Sequence, residues 1–139
     1  DKINKDYPNY LSADLNRILN EADIISFHCK PTNDGIPIIG TKEIKKMKSS
    51  ALIINTARGN LVSENDLFEA LKNNKIRGAA LDVYKDEPAN TNILFGLENI
   101  ILTPHIAAST SEAQIIVAEM IANQFVDFFL KNKVNNSVI

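Results

Sequence analysis

The chain has 139 residues, 45% of them apolar and 23% charged, the mixture expected of one globular domain of about 100–200 residues. That length excludes a complete two-domain enzyme, and the composition excludes disorder, collagen and coiled coil. With 15 basic and 17 acidic residues the formal net charge is -2, and no basic patch gathers beside aromatics, so the charge pattern calls for no nucleic acid and no membrane partner.

In chain order, Leu15, Ile18, Leu19 and Ala22 recur at helical period and predict a first helix. The β-branched run at residues 24–27 follows as a short strand, buried on both faces. Ile44 and Met47 predict a short helix, on which Lys42, Lys45, Lys46 and Lys48 form a solvated face. A second strand is expected at 51–55. Ser63-Glu64-Asn65-Asp66 then sets a hydroxyl three residues before a carboxylate, a reciprocal helix cap. It opens a helix whose buried stripe is Leu67, Ala70 and Leu71. Further strands are expected at 79–83 and 100–102. Ser109-Thr110-Ser111-Glu112 repeats the capping pattern and opens the longest helix, striped by Ala113, Ile116, Val117, Met120, Ile121, Gln124, Phe125 and Phe128. Those phenylalanines read as core or interface packing, and Asn132-Lys133 ends the helix.

Strand alternating with helix predicts βαβ units and so an α/β fold, a parallel doubly wound (Rossmann-like) sheet. Such a sheet begins with a strand entering a Gly-rich phosphate turn, yet no G-x-G-x-x-G occurs among the five glycines. The expectation is therefore an incomplete sheet lacking its first strand and turn. Residues 1–139 read as the second part of a nucleotide-binding domain, without a substrate domain. Cys29 is the one cysteine, so no internal disulfide can form. Residues 1–6 hold no apolar leader, and no run of about 18 apolar residues occurs. A cytoplasmic setting is expected.

Three strand ends carry a polar residue where ligands gather in open parallel sheets. Arg58, in Asn55-Thr56-Ala57-Arg58-Gly59, offers a planar fork to a carboxylate, with Gly59 allowing the turn that aims it. Glu87 lies in Asp86-Glu87-Pro88, and His105 follows Thr103-Pro104. Taken singly, each has a plain structural reading: a surface arginine, an exposed connector, a satisfied histidine. His28 reads as packing or pocket lining, and two histidines with one cysteine show no metal-ligand spacing.

Taken together, the runs 52–59, 78–83 with Glu87-Pro88, and 102–106 resemble three signatures of the D-isomer-specific 2-hydroxyacid dehydrogenases. Their order and separations match, and the resemblance runs from about Ser12 to Phe129. It implies NAD as cofactor and a small 2-hydroxy or 2-keto acid as substrate. Arg58 would hold the substrate carboxylate, His105 would be the acid/base on the hydroxyl or keto oxygen, and Glu87 would support the imidazole. Asp82 would lie near the nicotinamide, with Thr56 and Ala57 beneath it. Cys29 and Pro31 would line the adenosine side, Ala107 and Ala108 would adjoin the cofactor, and Asp1 would meet the ribose.

Residues 107–114 look most like the D-3-phosphoglycerate dehydrogenases, which open serine biosynthesis. Ala107 stands where a glycine is usual and Ser63 where an acid is usual. The full-length protein would be a homodimer or higher homo-oligomer. The chain by itself is expected to be inactive, to associate through its open sheet edge, and to bind NAD only when the missing half is supplied. The alternative reading is a dinucleotide-sensing scaffold like the corepressors that share this fold.

Overall fold

The computed structural model describes residues 10–137, and the first helix among them starts at Asp14, whose carboxylate accepts from the Arg17 amide at 2.9 Å. Asp1 lies outside the described residues. The helix, α1 (Leu15–Glu21), is followed by β1 (Ile24–Phe27), a short α2 (Thr41–Ile44), β2 (Leu52–Asn55), a 3-10 turn (Gly59–Leu61), α3 (Glu64–Lys72), β3 (Gly78–Leu81) and β4 (Ile100–Leu102). The strands form one parallel sheet of four in the order β1-β2-β3-β4. The predicted parallel α/β architecture is the one observed.

Register explains where the core lies. Ile25, Ile53, Ala79 and Ile100 form one row across the sheet, and Phe27, Asn55, Leu81 and Leu102 the next but one. Successive side chains point to opposite faces, so both rows project to the same side. There they meet Leu19, Ile44, Met47, Leu67, Ala70 and Leu71 in one cluster. Ile53, fully enclosed at its centre, contributes about 1.5–3 kcal/mol by its burial. The opposite face is more open, with Ile24 57% and Ile101 69% exposed. This corrects the expectation of burial on both faces for β1 and β4, the outer strands of the described sheet, while β3 between them keeps Gly78 buried and Ala80 half-buried on that face.

Two strands also end differently from their predicted limits. β2 begins at Leu52 and β3 ends at Leu81, because the β3–β4 ladder stops at the bond from the Thr103 amide to the Leu81 carbonyl. Pro104 has no amide to extend it.

The caps are simpler than the sequence pattern suggests. Ser63 accepts from the Asp66 amide at 3.4 Å, but its own amide donates to the Ile39 carbonyl. The Asp66 carboxylate instead accepts from the Thr41 hydroxyl at 2.5 Å, tying α2 to α3. That hydroxyl, and after it the Ser63 hydroxyl, hold the Asp66 carboxyl below the usual carboxylate range. Two of the four lysines are also occupied. Lys46 donates to the Asn16 side chain at 2.7 Å and Lys48 pairs with Asp23 at 2.9 Å, an exposed pair contributing at most about 1 kcal/mol.

The residues fall into two compact units, Asp1–Pro104 and His105–Ile139. The second consists chiefly of α4 (Ser111–Lys131). Thr110, not Ser109, is its cap, accepting from the Ala113 amide at 3.2 Å. Asn132 ends it in the left-handed conformation at φ 53°, as the sequence predicts. None of its residues is buried, and Phe129 is 70% exposed. Within this unit the phenylalanines meet one another, Phe125 stacked on Phe129 and Phe128 edge-on to it. By length and composition α4 is apolar enough to cross a membrane, although Glu119, Asn123 and Gln124 interrupt its apolar run.

Candidate functional site

All four strands run the same way, so their carboxyl ends gather along one edge of the sheet. At that edge β2 ends on Asn55, an amide 1% exposed after three apolar residues. Its Oδ1 accepts from the Ala57 amide at 3.1 Å and its Nδ2 donates to the Arg58 carbonyl at 2.8 Å. The Asn55 carbonyl accepts from the Asp82 amide at 3.0 Å. One residue thus shapes the loop that presents Arg58 through its side chain and joins the exit of β3 through its backbone. The sequence reading missed this role. The signal was there in a carboxamide closing an apolar strand, where burial demands that every polar atom find a partner.

Asn55→Ala in the full-length protein is expected to cost about 1 kcal/mol, since a part-buried N–H and C=O lose their partner. Urea denaturation measures it. An unchanged midpoint would mean that the loop holds its shape without Asn55.

Arg58 itself is exposed, and Nη1 donates to the Ala57 carbonyl at 2.6 Å. Among the described residues it forms no ion pair. A guanidinium presented with no carboxylate beside it is open to an external one. Gly59 allows this loop for a reason other than the expected one. Its φ is not positive, but a Cβ there would run into the Tyr84 carbonyl. The turn is close to another backbone, and no side chain fits between them.

A cleft of about 310 Å³ lies between the ends of β1 and β2. Cys29, Lys30, Thr56, Ala57 and Arg58 line it with Phe27 and His28. Cys29, Thr56, Ala57 and Arg58, singled out in the sequence, therefore share one cavity, while Pro31 is half-buried outside its lining. His28 shares a hydrogen bond with the Ser26 hydroxyl at 2.9 Å.

At the exit of β3, Asp82 is 5% exposed and accepts from the Thr103 hydroxyl at 2.5 Å. Burial, assisted by the Asp82, Glu64 and Glu87 carboxylates, pushes the Tyr84 phenol above its ordinary pKa. The phenol keeps its proton and donates it to the Thr103 carbonyl at 3.0 Å. Glu87 turns back to accept from the Tyr84 amide at 2.9 Å, and its bond to Pro88 is cis.

His105 is the first residue of the second unit and holds a left-handed backbone at φ 55°. For a residue with a Cβ that conformation costs of the order of 1 kcal/mol, and such outliers cluster at functional sites. The following turn is closed by the Ser109 amide on the Ile106 carbonyl, and Gln114 Nε2 donates to the Ala108 carbonyl at 2.6 Å. The stretch holding Ala107 and Ala108 is thereby fastened to the start of α4. Among the described residues no cluster of histidine, cysteine and carboxylate groups has a metal-binding arrangement.

Comparison with known proteins bears on what this edge belongs to. The sequence model of the D-isomer specific 2-hydroxyacid dehydrogenase, NAD binding domain, matches residues 2–107. The chain is 46% identical over 114 residues to D-3-phosphoglycerate dehydrogenase of Methanocaldococcus jannaschii, covering 82% of this chain and 22% of that protein. It is 43% identical over 116 residues to glyoxylate reductase of Thermococcus litoralis, covering 84% of this chain and 35% of the relative. The chain thus spans between 22% and 35% of these relatives' length. The crystal structure of a D-isomer specific 2-hydroxyacid dehydrogenase from Lactobacillus delbrueckii ssp. bulgaricus, in its NAD complexed form, superposes with a TM-score of 0.74 at 31% identity, covering 91% of this chain and 43% of that one. A parallel sheet of this order, with the sequence match running through Arg58, Glu87 and His105, places the chain in the D-isomer specific 2-hydroxyacid dehydrogenase family, in its NAD binding domain.

Proposed function

We propose that the full-length protein is an NAD-dependent oxidoreductase interconverting a 2-hydroxy acid and its 2-keto acid, with 3-phosphoglycerate as the substrate and serine biosynthesis as its setting. The observation that carries this is the Arg58 loop: an exposed guanidinium without an ion pair among the described residues, braced from below by buried Asn55, in a cleft it shares with Thr56 and Ala57. The substrate choice rests on residues 107–114 and on the relatives named phosphoglycerate dehydrogenase. A cytoplasmic homo-oligomer is part of the same proposal.

The residues present fit NAD chemically. The cleft lies at the carboxyl ends of parallel strands, and Lys30 and Arg58 give it positive charge for an anionic dinucleotide. When bound, NAD supplies the redox chemistry at the substrate carbon. The chain's residues orient the acid and handle the proton. Arg58 meets the carboxylate with two parallel hydrogen bonds, fixing which face of the neighbouring carbon is presented. His105 gives a proton to the keto oxygen during reduction and takes it back during oxidation. Glu87 has the supporting role toward the imidazole that the family resemblance implies.

The sign of that last effect can be tested. A carboxylate that supports an imidazolium stabilises its protonated form, so a supporting role for Glu87 predicts a pH profile that moves when Glu87→Gln removes the charge. The optimum for keto-acid reduction is expected to move toward acid. An unmoved kcat/KM profile would make Glu87 a connector only. The function as a whole is tested by NADH oxidation with a panel of 2-keto acids, the phosphorylated three-carbon one included. Full NADH binding without turnover of any acid would overturn the oxidoreductase reading and favour a dinucleotide-sensing scaffold.

A further inference from the structure

Residues 85–92 form the loop that carries Glu87, and both of its ends are held by the same side chain. Glu64 Oε1 accepts from the Lys85 amide at 2.8 Å, and Oε2 accepts from Asn92 Nδ2 at 2.9 Å. The orientation of the Asn92 carboxamide is itself fixed, because its Oδ1 accepts from the Leu94 amide at 2.9 Å. Glu64 has a firm base. It is the first residue of α3, after the Ser63 cap, on a helix anchored by buried Leu67 and Leu71.

Two adjacent backbone amides, Tyr84 and Lys85, therefore donate to two different carboxylates, Glu87 and Glu64. A carboxylate has two acceptor oxygens and can bridge two donors. A carboxamide in its place could accept from one and would oppose the other. We propose that Glu64 is a positioning residue for Glu87: by clamping Lys85 and Asn92 it fixes the span of the loop, and with it the place of the Glu87 carboxylate. The inference rests on the supporting role given to Glu87 above.

The polarity of the clamp provides a specific test. In the full-length protein, Glu64→Gln sets an amide donor against the Asn92 donor, and Asn92→Asp sets carboxylate against carboxylate. The double variant restores both bonds with one of them reversed: Gln at 64 accepts from the Lys85 amide and donates to Asp at 92, which still accepts from the Leu94 amide. Each single variant is expected to lower kcat for keto-acid reduction about tenfold with KM for NADH unchanged. Each should also shift the pH optimum in the same direction as Glu87→Gln and speed amide exchange across residues 84–92. The double variant should recover all three.

If Glu87→Gln moves the pH profile while Glu64→Gln does not, the positioning role is overturned and the reading of Glu87 stands. A double variant as impaired as the singles also overturns it. Should Glu87→Gln leave the profile unmoved, the reading of Glu87 fails. Amide exchange then decides the clamp by itself: unchanged exchange in both singles refutes it, and faster exchange restored in the double upholds it.

Discussion

Arg58→Lys in the full-length protein is expected to lower kcat/KM for the 2-keto acid about 100-fold, close to 2.7 kcal/mol of transition-state stabilisation, while NADH affinity changes little. Charge is conserved in this substitution, so geometry alone separates the two residues. In the structure one guanidinium nitrogen is already bonded to the Ala57 carbonyl, which steadies the fork while leaving its other donors for a carboxylate. Lysine has a compact ammonium on a flexible stem and presents no second parallel donor. If it bonds the same carbonyl, it holds the acid less firmly. Steady-state kinetics with fluorescence titration of NADH separates the two effects. Near-normal kcat/KM in the lysine variant would remove Arg58 from the carboxylate site, and an equal loss of NADH affinity would reassign it to the cofactor.

Gly59→Ala is expected to destabilise the protein by about 3 kcal/mol, at the upper end of what overpacking usually costs. The new methyl would collide with the Tyr84 carbonyl and lie 2.5 Å from the Lys85 nitrogen. Backbone cannot rotate away as a side-chain tip can. Either the Arg58 loop or the Tyr84–Glu87 turn must move, so activity should fall with stability. Urea unfolding measures the first and kcat the second. A variant as stable as the parent would mean that the two loops separate freely, and the account of a tightly fitted edge would be wrong.

Much of this edge was legible in the sequence, and the reasons are physical. Short β-branched runs separated by helical periods leave few topologies, and the chain reversals at Asn55-Thr56-Ala57-Arg58-Gly59 and Asp86-Glu87-Pro88 mark strand exits by composition. What stayed hidden depends on distance in space. Nothing local says that Asp66 prefers the Thr41 hydroxyl, 25 residues away, to the neighbouring Ser63 amide. Nor does the sequence show that Glu64, read only as part of a cap, reaches Lys85 and Asn92. Gly59 is legible as allowing the turn, but not that the constraint comes from Tyr84. The phenylalanines of α4 show the complementary limit: periodicity marks an apolar face without saying what covers it.

The strand order carries a consequence for how the sheet is made. Each strand pairs with the next one in the chain, and the first paired positions are Ile24 with Leu52, Leu52 with Gly78, and Ala79 with Ile100. The chain lengths between partners are similar, so loop-closure entropy differs little from one step to the next. No strand waits for a distant segment. During synthesis, which proceeds from the amino end, each described strand after β1 is made later than the strand it pairs with, and the loop carrying Arg58 is made before the segments bearing Glu87 and His105.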